Sequence, residues 1–172
     1  MKDLIIIHGA PGVGKTTIGR ILKKQLNGVL LDLDWIRSKH LDDAWTNCSP
    51  AEEELSYRIL LRTIAEYIAY GYKDILLNSS DIVSLMSHDA FFRSIDYKII
   101  TLTAADAELS RRVVHPERDS GWRNPKGSVA RNKVIVDRPM LPNEVRIDTT
   151  DLSPDATALE IIAIMNRVRD GE

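Results

Sequence analysis

A single cysteine, Cys48, among 172 residues leaves no partner for an internal disulfide and too few thiolates for a cysteine-rich metal site. That usage fits a reducing compartment. No apolar run approaches the roughly eighteen residues that a membrane span requires. Near the amino end only Leu4 to Ile7 is continuously apolar, behind Lys2 and Asp3, and it is too short for a signal-peptide core. The expected location is the cytoplasm, with no membrane partner. Neither sign of charge dominates: 23 Lys and Arg against 25 Asp and Glu give a formal net charge of −2. The chain therefore exerts no global pull on nucleic acid, and any basic patch must be local. Internal repeats and low-complexity tracts are absent. His8, His40, His88 and His115 lack metal-ligand spacing and read as structural or surface histidines. Cys48 has neither a lysine nor a second cysteine nearby to activate it.

What is present begins with a length and an apolar content of 44% that suffice for one core, so one domain spanning 1–172 is expected. Gly9-Ala10-Pro11-Gly12-Val13-Gly14-Lys15-Thr16 matches G-x-x-x-x-G-K-[ST], and it stands between the apolar run Leu4 to Ile7 and a helix-like segment beginning near Thr17. Glycines at these positions let successive backbone N–H groups turn inward around an anion. The helix that follows adds its unpaired N–H groups and positive dipole end. Lys15 offers a mobile charge to the β- and γ-phosphates, and the Thr16 hydroxyl suits Mg²⁺. A nucleoside triphosphate bound as its magnesium complex is expected, held by Gly9, Pro11, Gly12, Val13, Gly14, Lys15, Thr16 and Thr17.

Along the chain, Leu4 to His8 reads as a buried strand, and Ile18, Ile21, Leu22 and Leu26 give a helix that Asn27-Gly28 ends. Val29 to Leu31 is a second strand leading into Asp32-Leu33-Asp34-Trp35-Ile36-Arg37. Ser49, Pro50 and Glu52 form a capping box for a helix whose apolar face is Leu55, Ile59, Leu60, Ile64, Tyr67 and Ile68, ended by Gly71. Asp74 to Leu77 is a third strand running into Asn78-Ser79-Ser80. A helix from about Ile82 to Arg93 and a strand from Tyr97 to Leu102 follow. Thr103 with Asp106 makes a second capping box, for a helix bearing Leu109, Arg111, Arg112 and Val113 that His115-Pro116 should end. Glu117 to Glu144 turns to Arg, Lys, Pro, Asn and Gly. Val145 to Ile147 is a last strand, and Ser153-Pro154 opens a helix with Leu159, Ile162, Ile164 and Met165 on its core face. This alternation predicts an α/β three-layer sandwich with a five-stranded parallel sheet and ligands at the carboxyl edge of its strands. The P-loop, Asp32, Asp34, Asn78 to Ser80, Thr103 and Asp148 to Thr150 all fall at that edge.

In this order the elements resemble the small P-loop kinases of metabolites and nucleotides, the group that includes shikimate kinase, gluconokinase and the kinase domain of polynucleotide kinases. The resemblance rests on the P-loop, Asp-x-Asp-x-x-Arg over Asp32 to Arg37, the Arg-bearing helix and Ile147-Asp148-Thr149. It implies a P-loop NTPase fold of the nucleoside-monophosphate-kinase type with an Arg-rich lid at about 115–144, and it implies ATP with Mg²⁺ as the phosphoryl donor. Lys15 and Thr16 would handle phosphate and metal, and Asp32 would hold the metal's hydration shell. Asp34 would face the hydroxyl of a small-molecule acceptor, Arg37 would bind that acceptor, phosphate would be reached from among Arg112, Arg118 and Arg123, and Asp148 would lie by the nucleotide. Two positions depart from the group. Asn78 stands where an aspartate usually ends the strand beside the P-loop, and His115-Pro116 where a second lid arginine belongs. Asn78, Ser79 and Ser80 read either as hydrogen-bonding groups for a hydroxylated acceptor or as ordinary turn residues.

Two alternatives accompany the small-molecule kinase. A polynucleotide or nucleoside kinase would use the same Asp34 and Arg37 with the basic segment Arg111 to Arg138, and the acidic balance argues against its nucleic-acid form. A nucleotide-binding regulatory module would bind without phosphoryl transfer. A GTPase is excluded because Asn132-Lys133-Val134-Ile135 lacks the aspartate of the guanine motif.

Overall fold

The computed structural model describes residues 1–40, 49–117 and 121–169. Strand β1 (Leu4–Gly9) lies at the centre of a five-stranded sheet, flanked by β3 (Ile75–Ser79) and β4 (Tyr97–Thr103). β2 (Leu30–Asp32) extends the sheet beyond β3 and β5 (Glu144–Asp148) beyond β4, with every pairing parallel. The period of two explains the continuous apolar run of β1: Ile5 and Ile7 pack on one face while Leu4 and Ile6 pack on the other, so neither set meets water.

Helices α1 (Lys15–Leu26), α6 (Asp106–Val113), α7 (Pro125–Asp137) and α8 (Pro154–Arg169) cover the first face. Helices α2 (Leu33–His40), α3 (Pro50–Ala69), α4 (Ile82–Met86) and α5 (Asp89–Phe92) cover the second. The chain leaving β1 thus turns to one face and the chain leaving β3 to the other, which opens a crevice between the two strand ends. The three-layer α/β architecture is the one expected from sequence.

Local signals behave as their chemistry requires at several ends. Ser49 Oγ accepts from Glu52 N at 3.3 Å while Ser49 N donates to Glu52 Oε2 at 2.9 Å, closing the capping box of α3. Asn27 adopts a left-handed conformation, φ 49°, to end α1, and Ser153 Oγ accepts from Ala156 N at the start of α8.

Other expectations are corrected. On α3 the buried stripe is Ser56, Tyr57, Leu60, Leu61 and Ile64, with Leu55 and Ile59 exposed; Ser56 is tolerated there because its hydroxyl donates to Glu52 O. The helix expected over 82–93 is broken into α4 and α5, with the Ser87 hydroxyl donating to the Ser84 carbonyl at the break. Thr103 does not cap α6: it ends β4 and its hydroxyl donates to Ile147 O, and Ala105 N donates to Thr150 Oγ1 instead. On α8 the buried apolar residues are Ala158, Ile161 and Met165, whereas Leu159 is exposed. Finally, the stretch 117–144 contains a thirteen-residue helix, α7. Asn124 caps it, accepting from Gly127 N, and Pro125 occupies its first turn.

α7 is tied to the sheet by a buried carboxylate. Glu144 accepts both guanidinium nitrogens of Arg138 at 2.7 and 2.8 Å, the Thr101 hydroxyl at 2.6 Å and Leu141 N at 2.6 Å. Burial works against the charge, yet the Arg138 and Thr101 donors outweigh it and hold the carboxyl at about 2. Arg146 completes the anchor by donating to Val136 O and Arg138 O at the negative end of α7. Glu144→Ala strands Arg138 in a buried site, and we expect a loss of about 3–5 kcal/mol in urea unfolding. A loss below about 1 kcal/mol would show that the network is dispensable. The contribution is complete above the ordinary carboxylate range and disappears as the pH falls toward 2, since it is the folded value that is depressed.

Candidate active site

The P-loop links β1 to α1 in a conformation that only its glycines allow. Gly9, Gly12 and Gly14 have φ of 149°, 96° and 105°. A Cβ at Gly9 would lie 2.5 Å from Leu102 O, and one at Gly12 would lie 2.5 Å from Val113 Cγ2, so the loop is wedged between β4 and α6. Lys15 Nζ donates to Gly9 O at 2.8 Å and Ala10 O at 3.1 Å, curling the loop around its own ammonium. Gly14 supplies no side-chain cap to α1, and the first turn of α1 carries no acidic residue. The positive helix end is therefore left for an external anion.

An open cleft of about 2010 Å³ extends from this loop. One small-molecule site usually occupies about 300–1,000 Å³, so the cleft has room for two ligands. Pro11, Gly12, Val13, Gly14, Lys15, Thr16 and Thr17 line it, as do Asp32, Asp34, Arg37 and Arg112. The sequence-derived site residues are thus largely brought together. Gly9 and Asp148 are outside the cleft lining; Asp148, at the end of β5, accepts at Oδ1 from Thr150 N at 2.9 Å and from the Thr150 hydroxyl at 2.5 Å. Arg118 falls outside the described residues.

The two aspartates differ sharply in surroundings. Asp32 closes β2, where Oδ1 accepts from Asp34 N at 2.9 Å and Oδ2 accepts from Asn78 Nδ2 at 3.3 Å. Burial, followed by the nearby charge of Asp34, pushes its carboxyl above the usual range. Asn78 accounts for the missing aspartate: a carboxylate there would repel Asp32, whereas the amide donates to it. The absence of a side chain on Gly19 makes the room, because a Cβ there would lie 3.0 Å from Asn78 Oδ1. Asp32→Asn should therefore raise the melting temperature of the nucleotide-free protein, with Asn78 free to turn its amide and match the new one. A fall in melting temperature measured by calorimetry would contradict this account.

Asp34, in the first turn of α2, is exposed to the cleft with Arg37 Nη1 4.0 Å away. Arg37 also donates to Glu53 of α3, which ties the two helices together. Arg112 bridges Glu108 at 2.6 Å, Thr149 Oγ1 at 2.9 Å and Thr149 O at 2.6 Å. Donation from Arg111 and Arg112 holds Glu108 down at about 2. Asn132 is buried on α7 and donates to Ala104 O at 2.8 Å.

Sequence reasoning passed over three residues of the cleft. His8 precedes Gly9 and is buried, with Nδ1 3.2 Å from Ser79 O. Tyr57 of α3 faces the same space, and its burial, reinforced by Asp81, pushes the phenol up to about 12, so it remains a donor. Trp122 lies at the rim with the Arg131 guanidinium 5.5 Å above its ring. For His8 a signal existed, since a strand residue directly before a P-loop must end at the ligand edge of the sheet. Among the described residues no group of three or more His, Cys, Asp or Glu side chains could hold a metal alone, and no helix is long and apolar enough to cross a membrane.

The family model described as AAA domain matches residues 5–131. No curated protein matches the chain. Solved structures similar in fold include a sugar kinase from Janibacter sp. HTCC2649, with TM-score 0.71 at 13% identity over 95% of this chain and 94% of that one. A gluconokinase from Sinorhizobium meliloti 1021 aligns with TM-score 0.65 at 13% identity, covering 98% and 97% of the two chains. A shikimate kinase from Bacteroides thetaiotaomicron aligns with TM-score 0.62 at 15% identity, covering 96% and 99%.

Proposed function

Because the chain belongs to the AAA domain family of P-loop proteins, we propose that it is a small-molecule kinase that transfers the γ-phosphoryl of Mg-ATP to a hydroxyl of its acceptor. The observation that carries this reading is a single cleft that joins an uncapped, glycine-built anion site to an exposed carboxylate, Asp34, on the neighbouring helix. A switch protein needs the first and has no use for the second. The fold shared with sugar, gluconate and shikimate kinases supports a hydroxylated acceptor.

In this reading the N-terminal turn of α1 and Lys15 bind the β- and γ-phosphates, and Asp34 orients the acceptor hydroxyl. The hydroxyl oxygen forms a bond to the γ-phosphorus as the bond to the β–γ bridging oxygen breaks. ADP departs, and the hydroxyl proton passes to the Asp34 carboxylate. The donor set suits Mg²⁺, which keeps most of its waters and takes one or two hard oxygens from protein. Thr16 offers a hydroxyl, and Asp32 offers a carboxylate whose proton affinity is raised by burial and then by the neighbouring charge of Asp34. Bound there, the ion would neutralise charge on the transferring phosphoryl group. Arg112 steadies the loop after β5, and Arg118 remains a proposed phosphate contact. The proposed lid consists of the residues around α7, within one domain of 1–172, and the cytoplasm is the proposed location.

The polynucleotide alternative is weaker, since Arg111, Arg112 and Arg138 of the basic segment are engaged by Glu108 and Glu144. The test is incubation with γ-labelled ATP and MgCl₂ against uncharged sugars, polyols, nucleosides, gluconate and shikimate. A labelled acceptor is expected. ATP binding without transfer to any of them would replace the enzyme with a nucleotide-binding regulatory module.

A further inference from the structure

At the crevice between β1 and β3, His8 and Ser79 are direct register partners on adjacent strands. Both side chains fall on the face of the sheet covered by α2, α3 and α4, and both line the cleft. His8 is 2% exposed and Ser79 4%. Nδ1 of His8 is committed: its neighbour is the Ser79 carbonyl, which can only accept, so Nδ1 carries the proton. In this tautomer Nε2 is an acceptor and nothing else. Neither Nε2 nor Ser79 Oγ has a hydrogen-bond partner. Buried polar atoms without partners are uncommon, and each costs about 1–3 kcal/mol if it stays unsatisfied. Two such atoms side by side, at the switch point of a parallel sheet, point to a ligand that satisfies them.

The chemistry of the pair restricts that ligand. Burial, followed by the positive charges of Lys15 and Arg138, drives His8 down to about 4, so the ring is neutral at physiological pH and offers no charge to a carboxylate or phosphate. Nε2 requires a donor, and Ser79 can both donate and accept. Adjacent strands stand about 4.8 Å apart, which lets one hydroxyl oxygen reach both side chains, donating to the first and accepting from the second.

Building on the kinase reading above, we infer that His8 and Ser79 form a specificity-determining pair that binds an uncharged hydroxyl of the acceptor, distinct from the hydroxyl that Asp34 faces. The acceptor class is therefore a neutral polyol or sugar with at least two hydroxyls. An acceptor held at this end only through an anionic group does not satisfy the pair.

The test uses the full chain and the uncharged members of the labelled-ATP panel, with glycerol, hexitols, pentoses and hexoses as probes, each paired with deoxy analogues. His8→Phe removes the acceptor nitrogen, and Ser79→Ala removes the hydroxyl. Each should raise KM for the polyol about tenfold or more while changing kcat and the KM for ATP less than about threefold, the loss of one buried hydrogen bond being worth about that factor. His8→Gln, which restores an acceptor oxygen, should recover part of the loss. One deoxy analogue should bind wild type and His8→Phe equally, because the missing hydroxyl is the one that His8 holds. Transfer with unchanged KM in both variants, or transfer confined to gluconate or shikimate, overturns this inference and leaves the kinase reading intact. ATP binding with no transfer to any acceptor overturns both. A variant that no longer binds ATP has lost its fold; the deoxy series on wild type then decides, and equal KM values across that series refute the pair.

Discussion

On the kinase reading, Lys15→Met should lower phosphoryl transfer by about a thousandfold or more while the protein still folds. In the free protein the Lys15 ammonium is held by two loop carbonyls, Gly9 O and Ala10 O. Those are neutral acceptors that triphosphate oxygens can displace, so the charge is positioned before the nucleotide arrives. Methionine keeps the length of the stem and the helical preference of the first position of α1, removing only the charge and its donors. Loss of one preorganised donor to a developing anion typically costs about 10²–10³ in kcat, and loss of a full cation on a transferring phosphoryl group about 10³–10⁵. A thousandfold corresponds to about 4 kcal/mol of transition-state stabilisation. Single-turnover transfer measures the effect. The melting temperature should hold while the upward shift that ATP confers on wild type is lost. Activity within about tenfold of wild type would mean that the phosphates bind elsewhere.

Asp34→Asn should lower kcat by about 10²–10⁴ and leave the KM for ATP nearly unchanged. The substitution is isosteric and the side chain exposed, so orientation of the acceptor survives while proton acceptance does not. The bland alternative for Asp34 is that it only favours the start of α2, where an acidic residue in the first turn complements the helix dipole. That role is worth about 0.3–1 kcal/mol of stability and touches no rate. The two readings separate cleanly: a kcat within about fivefold of wild type, with a lowered melting temperature, would leave Asp34 as a helix residue only.

All five strands and the P-loop were legible in the sequence because each depends on local pattern: an apolar run, a glycine spacing, a cap. Asp32 and Asp34 could be placed at the ligand edge because they follow a strand directly. What stayed hidden depends on contacts between distant positions. His8 reads as a structural histidine until β1 and β3 are aligned, and the Ser79 carbonyl that fixes its tautomer lies 71 residues away. The arginines of the basic segment look free in the sequence, yet Glu144 fixes Arg138 through a buried bond whose partner strand comes after the helix. α7 itself escaped because its buried stripe is Ser128, Asn132 and Ile135, which has almost no apolar period to detect. Asn78, which departs from the kinase pattern, becomes intelligible only with the Asp32 carboxylate beside it.

The strand order has a consequence for how the molecule comes to exist. β1 is completed long before its partners β3 and β4, which begin at residues 75 and 97. Until those residues are available, Gly9 has no Leu102 carbonyl to rest against and Gly12 no Val113. Nucleotide therefore cannot nucleate folding of the segment that will hold it; it can only trap a sheet already formed. Pairings of such sequence separation close slowly, because the entropy of a long loop must be spent before the contacts repay it. A nascent chain of this protein thus carries the apolar strand β1 unpaired until β3 is complete at residue 79, and with one edge still open until β4 is complete at residue 103, an interval in which exposed strand edges favour aggregation.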